Sequence, residues 1–238
     1  MDETIIKNQT NEIEEADNKL YPYAVINDEL IRRGVLSTVS WSDLYKIQNS
    51  LGLNCYKREM VRFGKGIMIK SPYLFSFGLK RDNFGKIRMN IAFSERGEEM
   101  NDEALRFFNE IMVIEDWIKS EILRDCEISA GRNFGLSAPP TFRRFKIAYE
   151  SRSSNKMMSL KLMTMGKNVK TRFLDEEGSA IDNAELFDRY FRVKFGLHIV
   201  GVIVKDNNIT LDVRVVIAKI KRFDESKRTV RFVIPDDI

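Results

Sequence analysis

The chain has 238 residues, which is long enough to bury a core without a metal or disulfide framework. Of these residues 43% are hydrophobic and 31% are charged, the composition of a globular protein. No apolar run approaches the roughly 20 residues that a membrane helix requires, and residues 1–11 lack the apolar stretch of a signal peptide. Two cysteines, Cys55 and Cys126, in a chain without a secretion signal favour reduced thiols in an intracellular protein.

Charge is distributed unevenly along the chain. Residues 1–30 hold eight acidic and two basic side chains and carry −6, whereas the remainder carries +10, for a net charge of +4. We interpret residues 1–30 as an acidic, partly disordered arm and residues 31–238 as one domain. A basic body suits a polyanion binder whose groove the arm shields when it is empty; alternatively, the arm only keeps the chain in solution.

The first half of the chain predicts a short helix, three strands and a long helix. Apolar spacing over 41–51, with Ser40 as N-cap and Gly52 as a stop, predicts the short helix. The period then changes to two, which predicts antiparallel strands at 67–70, 75–80 and 87–93, with a turn at 82–85. Asn101 then caps the longest predicted helix, which runs to about residue 124.

The second half predicts mainly strands. Residues 129–141, with two glycines and a Pro-Pro pair, predict an ordered loop. A short helix is predicted at 183–190, and Asp206-Asn207-Asn208 predicts a tight hairpin. The predicted strands are 142–149, 157–165, 169–174, 197–204, 209–220 and 228–234. About nine strands with one long and two short helices favour an α+β, mainly β fold, a barrel or curved sheet with helical additions.

Residues suited to catalysis are few. His198, the only histidine, lies in an apolar strand, where a half-buried imidazole is expected in preference to a base or metal ligand. One histidine and two cysteines are too few for a Cys/His metal site. A metal-dependent nuclease is the alternative, with carboxylate ligands drawn from Asp175, Glu176, Glu177, Asp182, Glu185 and Asp188. Because these lie in a turn and on a helix face, we favour solvated surface, no enzyme and no cofactor.

Residues suited to nucleic-acid binding are plentiful. Residues 142–146, Phe-Arg-Arg-Phe-Lys, place two rings beside three cations in a predicted strand. Cations neutralise phosphates, and rings stack on bases with ~1–3 kcal/mol for each base. We predict phosphate contacts from Arg143, Arg144, Lys146, Lys161, Lys170 and Arg172, stacking by Phe142, Phe173 and Tyr190, and a further contact from Arg192.

Two alternatives remain open from the residues alone. Phe145, Phe173 and Phe195 can belong to the core, with the cations serving only to protect sheet edges from aggregation. The basic face can also bind an acidic partner, which would make the chain a scaffold protein.

Two segments resemble a known family. Residues 62–78, followed by a strand and the helix that contains 114–118, are similar to the front half of the single-stranded DNA-binding proteins of large DNA viruses, of baculovirus type. Residues 139–173, the turn at 175–178 and residues 218–220 resemble the back half, with Lys170-Thr171-Arg172-Phe173 in place of the family's Lys-Thr-Lys-Phe strand. The resemblance spans about 60–222. It departs at 201–204, Gly-Val-Ile-Val, where the family has Gly-Ile-Trp-Phe, and at 234–238, which hold two acids where phage relatives carry a long acidic tail.

The resemblance implies an OB-fold-like antiparallel barrel related to that of podophage single-stranded DNA-binding proteins. It implies a viral protein that coats and unwinds DNA during replication or recombination, without sequence preference. The implied partners are single-stranded DNA, further copies of the chain and viral replication proteins, with no membrane. The implied location is the host nucleus or a viral replication site.

Overall fold

The computed structural model describes residues 23–47, 55–62, 65–82, 85–94, 99–142, 148–150, 156–165 and 168–223. Most of the predicted acidic arm and the strand predicted at 228–234 lie outside these residues. The helices are α1 Asp28–Arg32 and α2 Asp102–Ser129. The strands are β1 Tyr23–Val25, β2 Ser40–Trp41, β3 Tyr45–Lys46, β4 Cys55–Arg62, β5 Lys65–Lys70, β6 Leu74–Arg81, β7 Ile87–Ala92, β8 Ala148–Glu150, β9 Lys156–Leu162, β10 Thr164–Met165, β11 Asn168–Val169, β12 Arg172–Leu174, β13 Phe191–Lys205 and β14 Asn208–Arg222.

Five of these strands close into a barrel. β6 pairs antiparallel with β7, and β7 antiparallel with β9. β9 pairs parallel with β14, β14 antiparallel with β13, and β13 antiparallel with β6, so the ring returns to its first strand. Taken in chain order, the ring runs first, second, third, fifth, fourth, which is the Greek-key arrangement of an OB-fold. The predicted α+β, mainly β fold with an OB-fold-like barrel is confirmed.

Alternation along each strand separates the barrel interior from its outer face. In β9, Met158, Leu160 and Leu162 are buried, whereas the residues between them are partly exposed. Successive side chains of a strand point to opposite faces, so this period-two pattern fills the barrel with apolar side chains and leaves polar ones outside. Once the buried residues of a strand are known, the alternation therefore shows which of its cations and rings face outward.

The seam between β9 and β14 is the shortest in the ring. Only two residue pairs are in register there, Lys161 with Arg214 and Leu162 with Val215. The buried hydroxyl of Thr171 donates to the Val215 carbonyl at 2.6 Å and accepts from the Met163 N–H at 2.8 Å. A side chain thus supplies hydrogen bonds where strand pairing is brief.

Helix α2 begins as its sequence predicts. The side chain of Asn101 accepts a hydrogen bond from the Ala104 N–H at 2.8 Å, and Ile111, Ile114 and Ile118 form its fully buried stripe. The helix extends to Ser129, beyond the predicted end, and stops where Ala130 takes a left-handed conformation. No helix in the described ranges combines the length and apolar character needed to cross a membrane.

Three sequence-based expectations were wrong in detail. Residues 40–41 and 45–46 are strands that pair with β4, not the start of a helix, because pairing and the stacking of Trp41 on Trp117 at 6.2 Å outweigh local helical spacing. β5 does not pair with β6, since β13 lies between them. The helix predicted at 183–190 is a single 3₁₀ turn, Asn183–Leu186, because the next residues extend along the edge of β6.

Candidate nucleic-acid interface

A row of four cations crosses the outer face of the barrel. Lys80 on β6 is in register with Arg88 on β7, Arg88 with Lys161 on β9, and Lys161 with Arg214 on β14. We call Lys80, Arg88, Lys161 and Arg214 the cation row. Like charges directly opposite each other on neighbouring strands destabilise a sheet, a cost that nearby carboxylates or an anionic ligand can offset.

Two carboxylates hold the cation row in place. Asp82 accepts a hydrogen bond from Nε of Arg88, the second cation of the row, at 2.9 Å. At the end of the row Asp212, 1% exposed, lies 2.8 Å from Arg214 Nη2 and 3.5 Å from Lys161 Nζ. Burial raises the pKa of Asp212, but the hydrogen bond from Arg214 and the nearby cations outweigh it and lower that pKa overall. Asp212 therefore stays ionised and holds the charged ends of Lys161 and Arg214, whose side chains are 38% and 37% exposed.

Four rings form a second feature on the outer surface, near the start of β6. Phe75 lies 5.0 Å from Phe77, 5.7 Å from Tyr190 and 5.8 Å from Phe223 between ring centres. We call Phe75, Phe77, Tyr190 and Phe223 the aromatic cluster. Tyr190 is 55% exposed and the three phenylalanines are partly exposed. Rings gathered outside a filled barrel offer flat apolar faces to a ligand.

Cations border the aromatic cluster. Arg192 on β13 is in register with Phe75 on one side and with Lys221 on the other, and its guanidinium lies 6.0 Å from the centre of the Phe223 ring. Two residues further along β13, Lys194 is in register with Lys219 of β14. The cluster thus combines stacking faces with charge, the pairing of groups that single-stranded nucleic acid requires.

The predicted site residues fall in several places. Lys161 belongs to the cation row, and Tyr190 and Arg192 lie in or beside the aromatic cluster. Lys170 and Arg172 are exposed, Arg172 on β12 in register with Ile217 of β14. Arg143, Arg144 and Lys146 lie outside the described residues.

One of the predicted stacking rings packs inward. Phe173 is 3% exposed inside the core, which removes its face from stacking on a base, because β12 turns this position toward the barrel interior. Phe195 is 2% exposed, so the alternative of core rings holds for this pair. Phe142 is half-buried and packs against the core.

Sequence reasoning missed most of both features. Phe75 and Phe77 stood in the predicted alternation of β6, and Lys80 and Arg88 on either side of the predicted turn. The alternation alone leaves open which face is buried, and only the closed barrel shows that these side chains point outward. Arg214 was hidden in an apolar strand, where its register opposite Lys161 could not be read.

The candidate catalytic residues are placed apart from one another. His198 packs on the Tyr23 ring at 4.5 Å, and burial, with Arg214 nearby, lowers its pKa to about 4. Glu176 pairs with Lys221 and Glu185 with Arg222. Across the part of the chain that the structure describes, no three His, Cys, Asp or Glu side chains gather as a metal site would require. Cys55 and Cys126 are free thiols.

No protein-family model matches the chain, and no curated protein sequence matches it. Among solved structures the chain is similar to gp2.5, a single-stranded DNA-binding protein of bacteriophage T7, with 9% identity and a TM-score of 0.43 over 66% of this chain and 87% of that one. It is also similar to the single-stranded DNA-binding protein of bacteriophage Enc34, with 12% identity and a TM-score of 0.42 over 80% and 96% of the two chains. The same phage protein in complex with single-stranded DNA gives 11% identity and a TM-score of 0.41, over 76% and 97%.

Proposed function

We propose that this protein binds single-stranded DNA on the outer face of its barrel, without sequence preference. The observation that carries the proposal is the layout of β6, which presents Phe75 and Phe77 near its start and Lys80 near its end. This strand links the aromatic cluster to the cation row over about 15 Å. Bases stack on the rings and phosphates bind the cations, so the same strand of DNA uses both features.

The combination favours unpaired nucleic acid over other polyanions. Duplex DNA keeps its base faces stacked within the helix, so exposed rings add little to its binding. An acidic protein partner, the scaffold alternative, would use the cations but has no bases to stack on Tyr190, which is 55% exposed. Backbone contact and stacking need no base-specific hydrogen bonds, which accounts for binding without sequence preference.

The nuclease alternative has little in its favour. Its carboxylates would have to converge on a cation, yet Glu176 and Glu185 point to Lys221 and Arg222 instead. We therefore propose that the protein binds DNA and is not an enzyme. Incubating labelled DNA with magnesium or manganese tests this, because cutting that stops on chelation would favour the nuclease.

Fluorescence anisotropy with labelled oligo-dT of increasing length tests the proposed function. We expect binding at low salt that weakens as salt rises, with a log–log slope of about −0.7 for each phosphate contacted. The variant K80Q/R88Q should bind more weakly and with a shallower slope than the control R106Q/R124Q, which removes the same charge from exposed positions on α2. Absence of binding at low salt, or preference for duplex DNA, would remove the proposal.

Further parts of the proposal concern the biological setting. The protein coats DNA and opens hairpins during viral replication or recombination, associates with further copies of itself and meets viral replication proteins. Its placement beside baculovirus-type proteins, and its location in the host nucleus or a viral replication site, remain predictions. A doubly labelled DNA hairpin whose ends separate on titration with the protein would support the unwinding activity.

A further inference from the structure

The connection between β12 and β13 places carboxylates on two cations of the barrel. We call residues 175–190 the acidic connection. Glu176 Oε1 lies 3.1 Å from Lys221 Nζ, and Glu185 Oε2 lies 2.6 Å from Arg222 Nη2. Lys221 and Arg222 end β14, and both of their side chains are more than half exposed, so solvent and ligands can reach them.

The two cations stand beside the aromatic cluster. Lys221 is in register with Arg192, which is in turn in register with Phe75. The residue after Arg222 is Phe223, whose ring contacts Phe75. A DNA strand stacked on this cluster would bring its phosphates to Lys221 and Arg222, where Glu176 and Glu185 already lie.

The acidic connection is ordered by contacts that do not involve these carboxylates. Asp175 donates its N–H to the Ser179 carbonyl at 2.9 Å and accepts from the Ser179 N–H at 2.7 Å. Leu186 is 2% exposed, and the Asp188 N–H bonds the Leu79 carbonyl of β6 at 3.3 Å. The carboxylates are therefore presented by a fixed scaffold, and they remain close to the cations when their ion pairs open.

We propose that the acidic connection competes with DNA phosphates for Lys221 and Arg222, and this inference rests on the proposed function. Glu176 and Glu185 occupy the two cations in the free protein, and the phosphates of a bound strand replace them. Exposed ion pairs of this kind are weak, so a polyanion held by the rest of the face can displace them, whereas an isolated anion gains too little to do so. The connection thereby lowers binding of short or sparsely charged anions more than binding of a long strand.

The variant E176Q/E185Q tests the competition. It keeps side-chain size and removes the negative charge, and D116N/E121Q serves as its control, because those two carboxylates pair with Lys119 and Arg124 on α2. Oligo-dT anisotropy at several salt concentrations should show E176Q/E185Q binding about three- to tenfold more tightly than the control. Its salt slope should be steeper by about one unit, because more positive charge is available to the phosphates.

A second pair of variants makes the result specific. K221Q/R222Q should bind more weakly than wild type, and adding E176Q/E185Q to it should give less tightening than the same change gives in the wild-type protein. Equal affinity of E176Q/E185Q and its control, with wild type still binding oligo-dT, overturns the competition and leaves the proposed function intact. Failure of every variant and of wild type to bind at low salt overturns both. Circular dichroism confirms that each variant is folded.

Discussion

Tyr190 is the most exposed ring of the aromatic cluster, and its contacts with Phe75 and Phe77 hold it in place. Its position at the end of the acidic connection means that little of the core depends on it. Loss of its ring should therefore act on binding and leave folding almost unchanged.

We predict that Tyr190→Ala weakens oligo-dT binding by about tenfold, the loss of one stacked base. The control is Tyr45→Ala, which removes another exposed tyrosine, on β3 outside the cluster. Anisotropy at fixed salt measures the affinities, and thermal melting checks that the variants remain folded. An equal effect of the two substitutions would contradict stacking at Tyr190.

His198 connects protonation to stability. Its pKa is lowered from 6.5 to about 4, mainly by burial and then by Arg214, while Asp212 and Glu59 act in the opposite direction. Because the unfolded chain takes up a proton at His198 more readily than the folded one, stability is lost as pH falls through the range from 6.5 to 4.

We predict that unfolding free energy falls by about 2 kcal/mol between pH 7.5 and pH 5 through this residue. His198 is the only histidine in the chain, so His198→Gln should remove most of that change. Urea denaturation at the two pH values gives the comparison. A variant with the same pH dependence as wild type would show that other groups are responsible.

The course of strand β13 depends on Gly201. This glycine has a φ of +145°, and a Cβ built on it would lie 2.1 Å from the Arg58 carbonyl oxygen of β4. The register of β13 with β14 also shifts here, between Ile199 and Gly201. Glycine therefore allows the strand to bend from one set of partners to the next.

We predict that Gly201→Ala destabilises the protein by about 3 kcal/mol or more, because both the backbone conformation and the neighbouring strand oppose the added methyl group. Gly85→Ala is the matched control, since Gly85 also has a positive φ but open space around it. It should cost about 1 kcal/mol. Urea denaturation separates the two, and equal losses would show that the approach of β4 is not the cause.

Strand β13 joins the barrel to β4 and β5, the strands beside it. Its first residues pair with β6, its middle with β5 and its last with β4, while β14 follows it along most of its length. Side chains from both sets of strands share one hydrophobic core. Without β13, β6 of the barrel and β4 and β5 beside it would each lose a pairing partner.

We predict that the barrel and the strands and helix beside it unfold together. Trp41 and Trp117 stack on each other away from the barrel ring, so their fluorescence reports β2 and α2, whereas far-ultraviolet circular dichroism reports the strands as a whole. In urea the two signals should give the same midpoint. Separate midpoints would show that the barrel unfolds independently of the rest.

The sequence predicted the strands of the barrel and the long helix because period-two and helical patterns are local. Asn101 marked the start of α2, and Asp206 and Asn207, both with positive φ, formed the predicted hairpin. It did not predict β2 and β3, whose pairing with β4 joins residues 10 to 21 positions apart, which the local spacing of apolar residues does not show.

The candidate interface was only partly predictable for the same reason. Tyr190 and Arg192 were found because they stand together in the chain, and Lys161 because it is a cation in a strand pattern. Phe75, Arg88 and Arg214 meet their partners across strands, and register between distant strands is not encoded in local periodicity. Phe173 was misassigned because an apolar ring in a basic strand fits either face until the interior is known.

The brief seam between β9 and β14 lies beneath the end of the cation row, between its last two members, Lys161 and Arg214. A DNA backbone that contacts both side chains would link β9 to β14, the two strands of the ring that pair over the fewest residues. Bound DNA would then stabilise this pair of strands against local opening. Backbone amides of β9 and β14 should therefore exchange with deuterium more slowly once DNA is bound.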